Sequence, residues 1–138
     1  MSTLNKWSPH ALAALRIVTA LLMLEHATMK FFAFPAPMPM PGPLPGIIVA
    51  AGVIELVTGI LITIGLFTRP AAFLASGTMA AAYFLGHATQ GFWPALNQGE
   101  AAIMFCFAFF YIVFAGPGAW SLDGLRGKRT ADGEPARA

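Results

Sequence analysis

Four apolar stretches, each long enough to cross the hydrocarbon core of a bilayer, carry ionisable residues inside them. No other feature of the chain restricts its fold as much. Arg16, Glu25, His26 and Lys30 lie in the first stretch, Glu55 in the second, His87 in the third and Glu100 in the fourth. A spanning helix needs about 20 consecutive apolar residues. An ionisable group at bilayer depth costs several kcal/mol unless it is paired, so such groups line a site or a pathway far more often than they face lipid.

Composition points the same way. Of 138 residues, 57% are hydrophobic and 10% charged, with mean hydropathy +0.70, which leaves too little charge to coat a soluble domain. The formal net charge of +2 is small and sits at the chain ends, which excludes nucleic-acid binding. One cysteine, Cys106, allows no disulfide within the chain and no CxxC metal or redox motif. The first apolar stretch is too long and too charged for a cleavable signal, so it is expected to stay as the first span.

The expected architecture is all-α: a four-transmembrane-helix bundle forming one membrane domain over residues 1–125, with a polar tail at 126–138. The spans are read at 11–34, 46–67, 70–91 and 93–115, bounded by Pro45-Gly46, Pro70, Pro94 and Gly116-Pro117-Gly118. Basic residues outside the spans set the orientation. Lys6, Arg69, Arg126, Lys128, Arg129 and Arg137 flank one side, while the connections 35–45 and 92–98 contain none. The positive-inside rule then predicts both termini in the cytoplasm of a bacterial inner membrane. The first outer loop has proline at every second position from Pro35 to Pro45, which forbids helix and favours an extended strap. Residues 130–138 are expected to be disordered.

Three–four spacing sorts the polar residues onto one face of each helix. The stripes are Arg16, Thr19, Met23, His26 and Lys30; Gly52, Glu55, Gly59 and Thr63; Ser76, Ala80, Tyr83 and His87; and Asn97, Glu100, Met104, Phe107 and Tyr111. At about 1.5 Å rise per residue, His26, Lys30, His87, Asn97 and Glu100 gather near the outer face. The glycines at 52 and 59 permit close helix approach. Arg16 and Glu55 are expected to form a buried ion pair, with a proton-handling carboxylate at Glu55 as the alternative. For His26 and His87 three readings stand: separately satisfied buried imidazoles, binding of the head group of a quinone or another polar ligand, or axial ligation of a haem. Glu25 falls on the opposite side of the first helix, where a contact with a second subunit would explain it.

Several short motifs then fall in order: His26-Ala-Thr-Met-Lys30, Gly52-Val-Ile-Glu55-Leu-Val-Thr-Gly59, and Gly65-Leu-Phe-Thr-Arg69-Pro-Ala-Ala72. Asn97-Gln-Gly-Glu100-Ala and Gly116-Pro-Gly118-Ala-Trp-Ser121-Leu-Asp123 follow. Together they resemble the DoxX family of small four-helix membrane proteins. The resemblance implies Arg16, His26, Lys30, Glu55, Arg69, Asn97, Glu100 and Asp123 as characteristic polar positions. It also implies a link to quinone chemistry, to redox complexes or to the assembly of other membrane proteins.

The function expected from all this is a quinone-linked redox protein, or a subunit of a membrane oxidoreductase complex. Its cofactor-binding residues would be His26, Lys30, His87, Asn97 and Tyr83, its proton-handling residues Glu55 and Glu100, and no metal is called for. Tyr83, Phe107 or Tyr111 would flank the ring. Electrons would come from a partner, since the chain carries no redox motif of its own. The alternatives are a non-catalytic accessory subunit, in a homo-oligomer or a larger complex, and a small-solute or proton transporter.

Overall fold

The computed structural model describes residues 3–132, and among them every regular element is helical. α1 (Thr3–Phe32) and α2 (Gly46–Ile64) form an antiparallel pair joined by the proline-rich strap. α3 (Thr68–Ala82) continues through a π-helical turn (Tyr83–His87) and a 3-10 turn (Ala88–Gln90). After a short α4 (Pro94–Asn97), α5 (Glu100–Ala115) returns, and α6 (Leu122–Asp132) ends the described chain. α1 packs on α2, α2 on α3, α3 on α5 and α5 on α1, which closes a circuit of four helices.

The packing is inverted relative to a water-soluble bundle. Arg16, Thr19, Glu55, Thr58, Ser76 and Asn97 are buried, beside the small side chains of Ala20, Ala71, Ala72 and Ala75. Leu21, Val18, Val53, Phe73, Phe110 and Phe114 lie on the outside. Such a surface would aggregate in water but suits hydrocarbon, and small inward residues let helices approach closely. α1 and α2 are long and apolar enough to cross a membrane, whereas α5 is apolar but shorter.

Three expectations change. The fourth span, read as continuous over 93–115, is broken, because Gln98 takes the left-handed conformation (φ 59°) and separates α4 from α5. Its stripe fails for the same reason. Once α5 restarts at Glu100, Met104, Phe107 (66% exposed) and Tyr111 (57% exposed) point outward, and Ala102, Phe105, Cys106, Phe109 and Ile112 face the core. The tail is helical through Asp132, where disorder was expected from residue 130; residues 133–138 lie outside the described residues.

Candidate functional site

The charged residues of the four helices divide between two ends of the bundle, and the two ends do different work. At the end where the termini meet, charged side chains hold main-chain groups. Arg16 is fully buried and donates all five of its N–H groups to carbonyls. Nη1 reaches Ile62 O (2.6 Å) and Thr63 O (2.7 Å), Nε reaches Pro117 O (2.7 Å), and Nη2 reaches Trp120 O (2.9 Å) and Ala119 O (3.1 Å). The first two are last-turn carbonyls of α2, where the helix leaves acceptors unpaired and a cation is favoured. Burying a guanidinium costs several kcal/mol, and five charge-assisted bonds at about 1.5–3 kcal/mol each offset it.

The rest of this end repeats the logic. Arg69 Nη1 donates to Val113 O and Phe114 O (both 2.8 Å) at the end of α5. Asp123 accepts the N–H groups of Phe67 (3.0 Å) and Thr68 (2.8 Å), capping α3 from a distance of more than fifty residues in sequence. Burial works against the charged Asp123 carboxylate, but these amide bonds and nearby Arg126 outweigh it and hold its pKa below the ordinary carboxylate value. Gly65 ends α2 at φ 70°, and a Cβ there would stand 2.4 Å from Ser121 Cβ and 2.8 Å from Ser121 Cα, so only glycine fits.

At the other end lies a cavity of about 500 Å³. Its walls are apolar, from Ile47, Ile48, Ile54, Met79, Leu85 and Phe105, and Met38 reaches it from the strap. Its polar lining is His26, Lys30, Glu55, Thr78, His87 and Gln98. Lys30 Nζ pairs with Glu55 Oε2, with both side chains nearly buried. Gly52, one turn before Glu55, makes room for this: a Cβ there would stand 2.9 Å from Lys30 Cδ and 2.8 Å from Phe31 Cζ. The His26 ring stands edge-on to Phe105, centroids 6.0 Å apart. His87 Nδ1 lies 3.0 Å from the main-chain O of Asn97.

The expected Arg16–Glu55 pair is therefore not formed. The helix register explains why. Leu24 fills the space over Gly59, and four residues back from Gly59 on α2 is four residues on from Leu24 on α1. Glu55 is thus level with Thr28, close to Lys30 and twelve residues, about 18 Å, from Arg16. Asn97, Tyr83 and Glu100 fall outside the cavity lining. The Asn97 amide is spent on Gly91 O and the N–H of Gly99, the Tyr83 ring packs against Gly99, and Glu100 is exposed at the start of α5. Gln98, Met38 and Phe105 are lining residues that helical spacing did not single out. Gln98 stands inside a quoted motif, but only its backbone kink turns it to the site.

The DoxX family pattern matches residues 11–88, which carry every ionisable residue of the cavity and also Arg16. The chain belongs to the DoxX family. A protein of Haemophilus influenzae, described as uncharacterised, is 46% identical over 128 residues, covering 89% of this chain and 96% of its own length. An uncharacterised membrane protein of Mycobacterium tuberculosis is 28% identical over 144 residues, covering 91% and 87%. No solved structure matches. This DoxX-family chain is a membrane protein, in keeping with its buried polar residues and apolar exterior. Within the matched residues, Gly65 to Pro70 help build the carbonyl-locked base and His26 to Lys30 and Gly52 to Glu55 the cavity; Gly116 to Asp123, beyond the match, complete the base.

Proposed function

We propose that this chain is a four-span protein of the bacterial inner membrane that binds the head group of a quinone in the cavity and handles its protons, with electrons supplied by a partner. The observation that carries the reading is the cavity itself: apolar walls that also carry a lysine–glutamate pair and two imidazoles. A flat lipophilic ring with oxygen atoms at its edges is complementary to such a space.

A bound quinone supplies ring chemistry in which two electrons and two protons are exchanged. The chain's residues do the rest. Lys30 has three N–H groups and turns one to Glu55, which leaves donors for a ring oxygen. Glu55 has a second carboxylate oxygen to hold a proton. Phe105 stands where a ring would lie against it, in the place first expected for Tyr83, Phe107 or Tyr111. Haem, the alternative, needs both imidazoles to face one iron, whereas the quinone reading uses His26 and His87 as they are held.

The orientation with both termini in the cytoplasm is supported by the base of the bundle. Ala119 N–H donates to Pro9 O (2.9 Å) and the His10 ring packs on Trp120, so the two ends of the chain share one side with Lys6 and Arg69. A partner is supported by Glu25, which is exposed one turn beyond exposed Leu21 and Leu22 on the outer face of α1. A carboxylate there is better placed against another subunit than against lipid.

Native mass spectrometry of the protein released from its own membranes tests the reading. A stoichiometric adduct with a quinone's mass, lost in Lys30→Met, is the expected result. An adduct with haem's mass and absorption would favour the alternative. A bare chain, or one retained only with a protein partner, would move the function to an accessory subunit.

A further inference from the structure

The connection between α3 and α5 is built around one buried amide. Asn97 is 3% exposed; its Nδ2 donates to Gly91 O (2.8 Å) and its Oδ1 accepts the N–H of Gly99 (2.8 Å). These two partners fix which way the amide points, because Gly91 O only accepts and Gly99 N only donates. They also clamp the loop at both ends. Gly91 adopts φ 148°, and a Cβ at Gly99 would stand 2.6 Å from the Tyr83 ring and 2.7 Å from Asn97 Oδ1. The clamp holds the main-chain carbonyl of Asn97 against His87, the last residue of the π-helical turn.

That contact has a chemical consequence. A carbonyl oxygen accepts hydrogen bonds and never donates, so the hydrogen between Asn97 O and His87 Nδ1 sits on the imidazole. In the neutral ring the other nitrogen, Nε2, is then a bare acceptor. Among the described residues Nε2 has no hydrogen-bond partner, and His87 lines the cavity, so Nε2 is the ring atom left for a ligand. Lys30, by contrast, is a donor only. The polar lining therefore has two complementary characters, one that gives a hydrogen and one that takes it.

We propose that Asn97 is a positioning residue whose clamped carbonyl fixes His87 as the Nδ1–H tautomer, so that the site accepts a hydrogen bond at Nε2 and selects the hydroxyl-bearing, reduced form of a bound ring. The ligand class rests on the quinone reading above; the tautomer does not.

Nitrogen NMR of histidine-labelled protein in lipid nanodiscs, at a pH where the imidazoles are neutral, reads the tautomer directly. The chain has three histidines, and His87→Phe assigns the signal. The expected wild-type signal has Nδ1 protonated and Nε2 bare. In Asn97→Ala the two tautomers mix, affinity for a short-chain hydroquinone falls about fivefold, and affinity for the matching quinone stays within about twofold. Asn97→Ser, which keeps a short hydroxyl in the clamp, gives an intermediate tautomer ratio. A protonated Nε2 in the wild-type protein overturns the inference and needs no variant to fold. An unchanged tautomer in a folded Asn97→Ala protein overturns it equally. If neither ring binds the wild-type protein, the quinone reading fails while the tautomer still decides the role of Asn97.

Discussion

Arg16 and Lys30 share one stripe of α1, yet they meet opposite kinds of partner, and the difference follows from what each side chain can do. Five planar N–H groups suit five scattered carbonyls, so the guanidinium is a bolt between α2 and the chain before α6. Lysine in its place would satisfy at most three of the five acceptors. Arg16→Lys should lower stability by about 3 kcal/mol, read as a fall in thermal midpoint in detergent. Lys30 and Glu55 behave as a buried pair. Removing one partner in Lys30→Met should cost about 3–5 kcal/mol, and adding Glu55→Leu should recover most of it while abolishing ligand binding. A double-mutant cycle with no coupling would show that the pair is not formed. The stripe on α1 was legible because its spacing is strict. The partner of Arg16 was not, since main-chain carbonyls 46 to 104 residues away leave no mark in a pattern of side chains.

The helices are positioned by groups at their ends as much as by their faces. Asp123 shows it best, because a carboxylate on α6 caps α3. Its pKa is lowered in the folded protein. The stability it contributes is therefore fully present above the ordinary carboxylate value of about 3.9 and is lost as pH falls through the lower folded value. Asp123→Ala should lose about 1 kcal/mol at neutral pH and show less acid-dependent melting than the wild type. The two α2 glycines should differ. A methyl at Gly59 crowds Leu24 (Cγ and Cδ2 at 2.7 Å), which lies outside the cavity lining, while one at Gly52 crowds the Phe31 ring and the stem of Lys30 that reaches Glu55. Gly52→Ala is thus expected to weaken ligand binding more than Gly59→Ala at similar stability. Close approach at both positions could be read from the sequence. The break at Gln98 could not, because a left-handed glutamine has no signature and α5 is apolar on every side, which hides its phase.

Across the whole molecule, one end is a base closed by charged side chains on backbone, and the other is a cavity whose charges face one another. That the chain is all helical, with long apolar helices in the first stretch and from Gly46, followed from apolar length and proline–glycine punctuation, whereas the division of the later helices did not. Of the cavity lining, His26, Lys30, Glu55 and His87 could be named from the sequence, while Gln98, Met38 and Phe105 could not, because they depend on the kinked return into α5 and on the strap. In a Cys106→Ser background, Met38→Cys should react with an impermeant thiol reagent on intact cells, and Lys128→Cys only after the membrane is opened; the reverse pattern would invert the topology. The most direct test of the site is photo-crosslinking with an azidoquinone in nanodiscs, followed by peptide mapping. Label confined to peptides containing His26–Lys30, Glu55, His87 and Phe105, and competed away by unlabelled quinone, is the predicted result. Label spread over the outward side chains of Phe107, Tyr111 and Phe114, indifferent to competitor, would contradict it.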